Sequence, residues 1–442
     1  MRASVNRRQF LKGAAGAGLG FWVANHYARG AEGTSPSDKL NVAIVGVTGR
    51  GGDNIKEMEE EAHELFNIVA LCDVYDPFLE SVGLRYPKAK RYDDYRQMLD
   101  KQKDIDAVLC ATADHAHAWV TLAALRSGRH VYCEKPLAHS LEEVRLVTQT
   151  AQQQRRVTQM GTQIHATNNY RRVVEVVQSG AIGDVSEVHV FIEKAWYQDK
   201  PVRTGVPIPK GLDWEMWQCA QPEREYSPDY LPASWRRFWQ YGEGTLGDMG
   251  CHLIDLPTWA LGLTAPTKIS AEGPPVHPDW CPKAVKVNYE FPARDGKPAV
   301  KLTWYDGGNK PDLVKELNLA KHKLSHMAII FVGSKGTLAA DYDKYVLFPE
   351  EKFGDFKPPA PSIPPSPGHH KEWILACMKS DVTGPLCNFS YSGPLTETVL
   401  LGTVAYRTGK ELAWDPAKLA AANVPEADQF IQLKYREGWK LM

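Results

Sequence analysis

Seven residues, Gly46-Val47-Thr48-Gly49-Arg50-Gly51-Gly52, follow the apolar run Asn41-Val42-Ala43-Ile44-Val45. Glycines at a strand-to-helix turn let the backbone approach a phosphate closely. The helix that follows then offers free N–H groups to it. In the register G-x-G-x-x-G the positions are Gly46, Thr48 and Gly51. Thr48 breaks the strict pattern, and Gly49 supplies a permissive backbone one residue later. Asp73 ends the next apolar run, Phe66 to Cys72, and stands 27 residues after Gly46. A carboxylate there accepts hydrogen bonds from ribose hydroxyls and repels a 2′-phosphate. These residues predict a dinucleotide site that favours NAD over NADP, with Gly46, Thr48, Gly49, Arg50, Gly51 and Asp73 around it.

Three later segments carry groups suited to a reaction. One apolar run, Ala107 to Ala111, leads into Thr112-Ala113-Asp114-His115-Ala116-His117. Another, His130 to Cys133, leads into Glu134-Lys135-Pro136, and Gly247-Asp248-Met249-Gly250-Cys251-His252 lies much further on. Asp248 and His252 are four apart, so on a helix they share a face. Histidine exchanges a proton near neutral pH. Lysine at the C-terminal end of a strand can hydrogen-bond a reacting oxygen and stabilise negative charge on it. Thr112, His115, His117 and Glu134 are expected along the cofactor, with Gln163 and His165 against the substrate.

The elements that must position these groups follow from hydrophobic patterning. Continuous apolar runs separated by helix-length segments describe parallel strands buried on both faces. Ser140 and Glu143 have capping-box spacing, and Leu141, Val144, Val147 and Ala151 follow at helical intervals. Residues 36–160 are therefore expected to form a doubly wound α/β domain of Rossmann type that binds NAD. Beyond it, Asn168 to Ser179 reads as a helix stopped by Gly180. Val188, Val190 and Ile192, then Val285 to Phe291, Ala299 to Trp304 and Ala328 to Val332, read as strands without regular intervening helices. Residues 161–442 are expected to form an α+β domain with a mainly antiparallel sheet.

The stretch Gln198 to Tyr241 is irregular and aromatic, and with Trp196 it gathers Trp214, Trp217, Trp235 and Trp239. Flat rings suit the apolar faces of sugars, and Arg236 and Arg237 suit hydroxyls or a carboxylate. Packing of a long loop on itself, or a subunit contact, explains the same composition. His369-His370 follows the Pro-rich stretch Phe356 to Gly368 and has no third ligand nearby in sequence, so a solvated loop is expected and no metal site. The eight cysteines are scattered without a C-x-x-C pair and read as buried small side chains.

A chain of 442 residues, 43% hydrophobic and 24% charged, has room for two globular domains. The balance of 52 basic against 53 acidic residues disfavours nucleic acid as a partner. Asn6-Arg7-Arg8-Gln9-Phe10-Leu11-Lys12 resembles a twin-arginine export signal, and Gly13 to Ala24 is too short and too weakly apolar for a membrane anchor. Residues 1–33 are expected to be signal and linker, with cleavage near Ala28-Arg29-Gly30 and a periplasmic or extracytoplasmic address. Residues 1–30 carry no acid, and removing them leaves 47 basic against 53 acidic residues, a net charge of −6. Such export moves folded proteins, so a cofactor can be loaded beforehand.

The glycine loop, Glu134-Lys135-Pro136 and Asp248-x-x-x-His252, in this order, resemble the glucose-fructose oxidoreductase/inositol dehydrogenase (Gfo/Idh/MocA) family. The segment Ala405 to Gly409 and Trp414-Asp415 look familial too, while Ala113 stands where members often have Pro. The resemblance implies a Rossmann domain followed by an open-sheet α+β domain, and often a homo-oligomer. It makes Lys135 the active-site lysine and Asp248 and His252 the D-x-x-x-H pair. His252 would then be the general base, Lys135 the polarising group and Asp248 the orienting partner. Trp196 and Arg236 join the expected substrate contacts. The implied reaction is hydride transfer between NAD and a hydroxyl carbon of a sugar, polyol or glycoside. One rival is glycoside cleavage or sugar interconversion on tightly bound, internally recycled NAD. Another is a non-catalytic sugar-binding protein.

Overall fold

The apolar runs pair into a six-stranded sheet. In the computed structural model, which describes residues 39–441, these strands are β1 (Leu40–Val45), β2 (Phe66–Cys72), β3 (Lys90–Tyr92), β4 (Ala107–Cys110), β5 (His130–Cys133) and β6 (Thr158–Met160). Their order is β3-β2-β1-β4-β5-β6, and every pairing is parallel. The order reverses between β1 and β4, which opens a crevice at their C-terminal ends. The edge strand β3 has no apolar run, because Lys90 and Arg91 are exposed there and discourage further pairing. The expected capping box forms: Ser140 accepts from the Glu143 N–H, and the Glu143 carboxylate accepts from the Ser140 N–H.

A second sheet takes β7 (Val185–Ile192), β8 (Lys268–Glu272), β9 (Lys286–Phe291), β10 (Val300–Tyr305), β11 (Met327–Gly333), β12 (Thr337–Ala340), β13 (Tyr345–Phe348), β14 (Leu412–Asp415) and β15 (Ala420–Ala421). The order is β13-β12-β11-β7-β10-β9-β8-β14-β15. Only β7 and β10 run parallel; every other pairing is antiparallel. The helix Phe389–Thr408 packs against β8, against the helix Gly244–Leu253 and against the Rossmann helix Leu141–Gln154. One hydrophobic cluster therefore runs from Val45 and Val108 to Trp304 and Phe331. The two sheets share a core, which fixes the helix Gly244–Leu253 relative to the ends of β4 and β5.

The aromatic stretch folds back on the Rossmann sheet. The Asp76 N–H donates to the Gly211 carbonyl (2.9 Å) and the Asp213 N–H to the Val74 carbonyl (2.8 Å), just past Asp73. Trp214, Tyr226, Tyr230, Trp235, Phe238 and Tyr241 bury one another in a cluster of their own. Of the two expectations for these rings, self-packing describes most of them, and Trp196 stands apart from the cluster.

His369 and His370 are not in a solvated loop. They begin the helix His369–Lys379 and are buried, with His370 Nε2 3.0 Å from Asn54 Oδ1. The Pro-rich stretch ends at Gly368, where the helix starts, so both rings turn inward against Tyr132. The N-terminal signal lies outside the described residues. Among the described residues no helix is long and apolar enough to cross a membrane.

Candidate active site

Two cavities meet at the C-terminal ends of β1, β4 and β5. The larger, of about 750 Å³, runs along the glycine loop and Asp73 and is roofed by Leu212, Trp217, Pro228, Leu231, Trp235 and Arg236, among others. The smaller, of about 250 Å³, is lined by Asp114, Lys135, Gln163, Lys194, Asp248 and His252, among others. Arg50, Thr112 and Arg236 border both.

The larger cavity fits a dinucleotide. Gly46 has φ +82°, and a Cβ there would stand 2.6 Å from the Ala111 carbonyl oxygen. At Gly51 a Cβ would stand 1.8 Å from the Gly46 oxygen, so this glycine lets the helix Arg50–Ala62 start tight against the strand. At Gly49, φ +55°, a Cβ would meet nothing within 4 Å, which leaves its backbone facing open space. Thr48 lines the same cavity. The Asp73 carboxylate accepts from the Val47 N–H (3.0 Å) and the Tyr75 N–H (3.2 Å), which ties it to the loop. Burial pushes its pKa up to about 6 despite those N–H groups.

Two of the expected cofactor contacts, Arg50 and Glu134, pair with each other. The Arg50 guanidinium donates to Glu134 (3.0 Å) and to both oxygens of Glu57 (2.9 and 2.8 Å). Glu134 also accepts from Asn54 Nδ2 (2.9 Å). Three of the five guanidinium N–H groups are thereby engaged, and Arg50 still lines both cavities. His115 lines the larger cavity, with Nε2 2.8 Å from the Trp217 carbonyl and its ring between Trp217 and Tyr241. Burial lowers its pKa to about 4. His117 borders the smaller cavity, but its nitrogens lie 2.7 and 3.1 Å from the Pro136 and Thr112 carbonyls. It clasps the ends of β4 and β5 together.

The smaller cavity is organised around Asp248, which the helix Gly244–Leu253 presents with its side chain 5% exposed. Lys135 Nζ donates to Asp248 Oδ1 and to the Asp248 carbonyl, both at 2.7 Å. Trp196 Nε1 donates to Oδ2 (2.7 Å), Lys194 Nζ lies 2.7 Å from Oδ2, and Arg236 Nε lies 3.2 Å from Oδ1. Burial alone would raise this carboxyl; Lys135, Arg236 and Lys194 overcome that and hold it well below the usual range. Asp248 thus closes on Lys135, while it and His252 line the same cavity from one helix, as their spacing predicts.

The His252 ring lines the cavity while its Nδ1 is buried without a hydrogen-bond partner, which leaves Nε2 toward the open side. Burial first, and then the Lys135 charge, keep its pKa well below the ordinary histidine value. The ring is therefore neutral in the folded chain. Gln163 lines the same cavity. His165 does not: it is buried behind the site, 2.9 Å from Asp255 and stacked on Trp259 at 3.9 Å. Its Gln-x-His spacing places the two residues on a short 3-10 turn, so only one can face the cavity.

Sequence patterns had pointed to neither Lys194 nor Asp114. Each directly follows sheet structure at its catalytic end, Lys194 two residues past β7 and Asp114 at the first position of the helix after β4. That placement was the available signal. Asp114 is buried, and burial raises its pKa to about 8 against the pull of Arg236 and Lys135. Two buried trios, Cys110/His117/Cys133 and His165/Asp255/Cys387, bring ligand-type atoms within 4.8 Å. Their histidines are already engaged, His117 by carbonyls and His165 by Asp255.

Comparison with known proteins bears on this geometry. A family model described as oxidoreductase family, NAD-binding Rossmann fold, matches residues 40–162, and its companion for the C-terminal alpha/beta domain matches 166–310. The chain belongs to the Gfo/Idh/MocA oxidoreductase family. Inositol 2-dehydrogenase of Salmonella typhimurium is 30% identical over 152 residues, 34% of this chain and 45% of that protein. A glycosyl hydrolase family 109 protein of Shewanella baltica is 25% identical over 259 residues, 53% and 51% of the two chains. The chain spans about half the length of these curated relatives. Among solved structures, the WlbA dehydrogenase from Chromobacterium violaceum, in complex with NADH and UDP-GlcNAcA, superposes with TM-score 0.60 at 16% identity, covering 86% of this chain and 98% of that one. Myo-inositol 2-dehydrogenase from Lactobacillus plantarum gives TM-score 0.56 at 16% identity, covering 85% and 100%. Both likenesses concern this Gfo/Idh/MocA fold.

Proposed function

We propose that this Gfo/Idh/MocA protein transfers hydride between NAD and a hydroxyl-bearing carbon of a sugar, polyol or glycoside. One observation carries the reading. Lys135, Asp248 and His252 line one cavity that joins the dinucleotide cleft at Thr112 and Arg236. Gly46, Thr48, Gly49, Gly51, Asp73 and Thr112 would hold NAD, which supplies the hydride acceptor.

The chain's own residues handle the proton and the oxygen. An ammonium has three donors. Two of those of Lys135 are spent on Asp248, which leaves the third for the substrate oxygen. There it favours negative charge as the hydroxyl proton leaves. His252 Nε2 takes that proton, which requires the tautomer with hydrogen on Nδ1. Residues of the aromatic lobe roof the dinucleotide cleft. Lys135→Ala and His252→Ala should each lower kcat by at least about a hundredfold, the scale of a lost acid–base or electrostatic group. NAD should stay bound, as measured by release on denaturation. Full turnover in both variants would reject the assignment.

The same roof favours a second reading, in which NAD stays bound and is recycled within each turnover, as in glycoside cleavage by transient oxidation. The Shewanella relative's family name points the same way. Export of the folded protein by the twin-arginine route would suit a captive cofactor. Purified protein that cleaves glycosides repeatedly without added NAD, and with no net reduction at 340 nm, would select this reading over a net dehydrogenase.

A further inference from the structure

Charges in the smaller cavity do not cancel. Lys135, Lys194 and Arg236 all converge on the single carboxylate of Asp248. The cavity's other nearby acid, Asp114, stays protonated near neutral pH because it is buried. Glu134 is paired with Arg50 and Asn54. Cations withdrawn from water are costly unless each finds an anion.

Arg236 is set up to take one more. Its Nε faces Asp248, and its guanidinium lies 4.1 Å from the centre of the Trp235 ring, which fixes the plane of the group. Among the described residues its two Nη groups have no hydrogen-bond acceptor. A guanidinium paired with one carboxylate through Nε presents its Nη groups as a fork matched to a second, planar carboxylate. Lys194, 41% exposed, borders the same cavity, with Nζ 5.1 Å from the centre of the Trp196 ring. Both cations are positioned by aromatic faces and one shared acid, and both have donors to spare.

We propose that the sugar taken at this site carries a carboxylate, seated on the Arg236 fork with Lys194 beside it. The inference rests on the hydride-transfer reading and narrows its substrate class to acidic sugars. A neutral sugar leaves the surplus charge uncompensated; an acidic one neutralises it while its hydroxyls remain available to Lys135 and His252.

The test is calorimetric titration of the full chain, as purified, with D-glucuronate, D-glucose and D-glucose 6-sulfate at low ionic strength. Glucuronate should bind at least tenfold more tightly than glucose, and added salt should shrink the difference. Arg236→Gln should erase most of that preference, and Arg236→Lys, which restores charge without the fork, should recover only part of it. Equal affinity for glucuronate and glucose, no binding of glucuronate at millimolar concentration, or an unchanged preference in Arg236→Gln would overturn the proposal. The last result would also follow if a cofactor phosphate occupies Arg236. Sulfate binding as tightly as carboxylate would reject the planar fork as the selector. A turnover panel separates this inference from the reading beneath it. Glucosides and glucuronides processed with equal kcat/KM would sink the acidic class and leave hydride transfer standing. No redox or cleavage product from any glycoside, together with a tenfold binding preference, would do the reverse.

Discussion

Asp248 shows how little a residue's spacing says about its partner. Its distance from His252 in sequence predicts a shared helix face, and both do line one cavity, but the carboxylate itself closes on Lys135, Lys194, Arg236 and Trp196. Long side chains from three separate segments reach one carboxylate, and no local pattern records that. Asp114 was invisible for a different reason, since an acid at the start of a helix is ordinary in sequence and only burial makes it unusual. Its carboxyl keeps its proton up to about 8 in the folded chain, against an ordinary 3.8. Arg236 and Lys135 oppose that shift, while Asp248 and Glu243 add to it. The folded state therefore holds this proton more tightly than the unfolded one. The stability linked to it is complete below about pH 4 and is lost as pH rises toward 8. Asp114→Asn removes the titration, so its Tm relative to the parent should rise between pH 5 and pH 9. Circular dichroism melts at both values decide this; a constant difference would mean that Asp114 is ionised throughout.

At the scale of elements, the glycine loop tests whether strand and helix are held by backbone contact. Gly51 and Gly52 are neighbours on the first turn of the same helix, yet a Cβ at Gly51 meets the Gly46 oxygen at 1.8 Å and one at Gly52 meets only the Val47 oxygen at 3.6 Å. Gly51→Ala should therefore destabilise by about 3 kcal/mol, the upper part of the overpacking range, and lose NAD. Gly52→Ala should be neutral, or gain up to about 1 kcal/mol from reduced backbone freedom. Urea melts of the pair decide it, and equal losses would place the tight contact elsewhere. This element was legible because its signal is local: apolar strands, glycines and an acid, each in its expected place. The polar edge strand β3 and the inward turn of His369 and His370 were not, because hydropathy does not report pairing at an edge or what a helix start packs against. The aromatic stretch was legible as composition only. Its rings suited either a sugar or one another, and the backbone bonds at Gly211 and Asp213 that dock it on the Rossmann edge leave no periodic trace.

For the whole molecule, the question is what keeps the aromatic lobe over the dinucleotide cleft. The last residues described supply a strap. The Arg436 N–H donates to the Ala220 carbonyl (3.0 Å) and its Nη2 to the Glu215 carbonyl (3.1 Å), both in the lobe. On the other side, Tyr435 Oη donates to Glu143 Oε1 (3.0 Å), and the Trp439 ring meets Trp119 edge-on at 5.2 Å with Arg96 over its face at 5.1 Å. Glu143, Trp119 and Arg96 belong to three Rossmann helices, so the strap ties the lobe to the domain it covers. Each contact is modest, roughly 1 kcal/mol for a hydrogen bond or an edge-on aromatic pair. Several acting together set how often the roof opens, while the shared core that carries the two sheets does not depend on them. Trp439→Ala should then speed NAD release severalfold, and removal of residues 433–442 should speed it at least tenfold. Far-ultraviolet circular dichroism should show the sheets intact in both. Stopped-flow dilution of preloaded protein reads the rate directly. If release is as slow without the strap as with it, the lobe is held by its own contacts at Gly211 and Asp213, and retention of NAD owes nothing to the C-terminal residues.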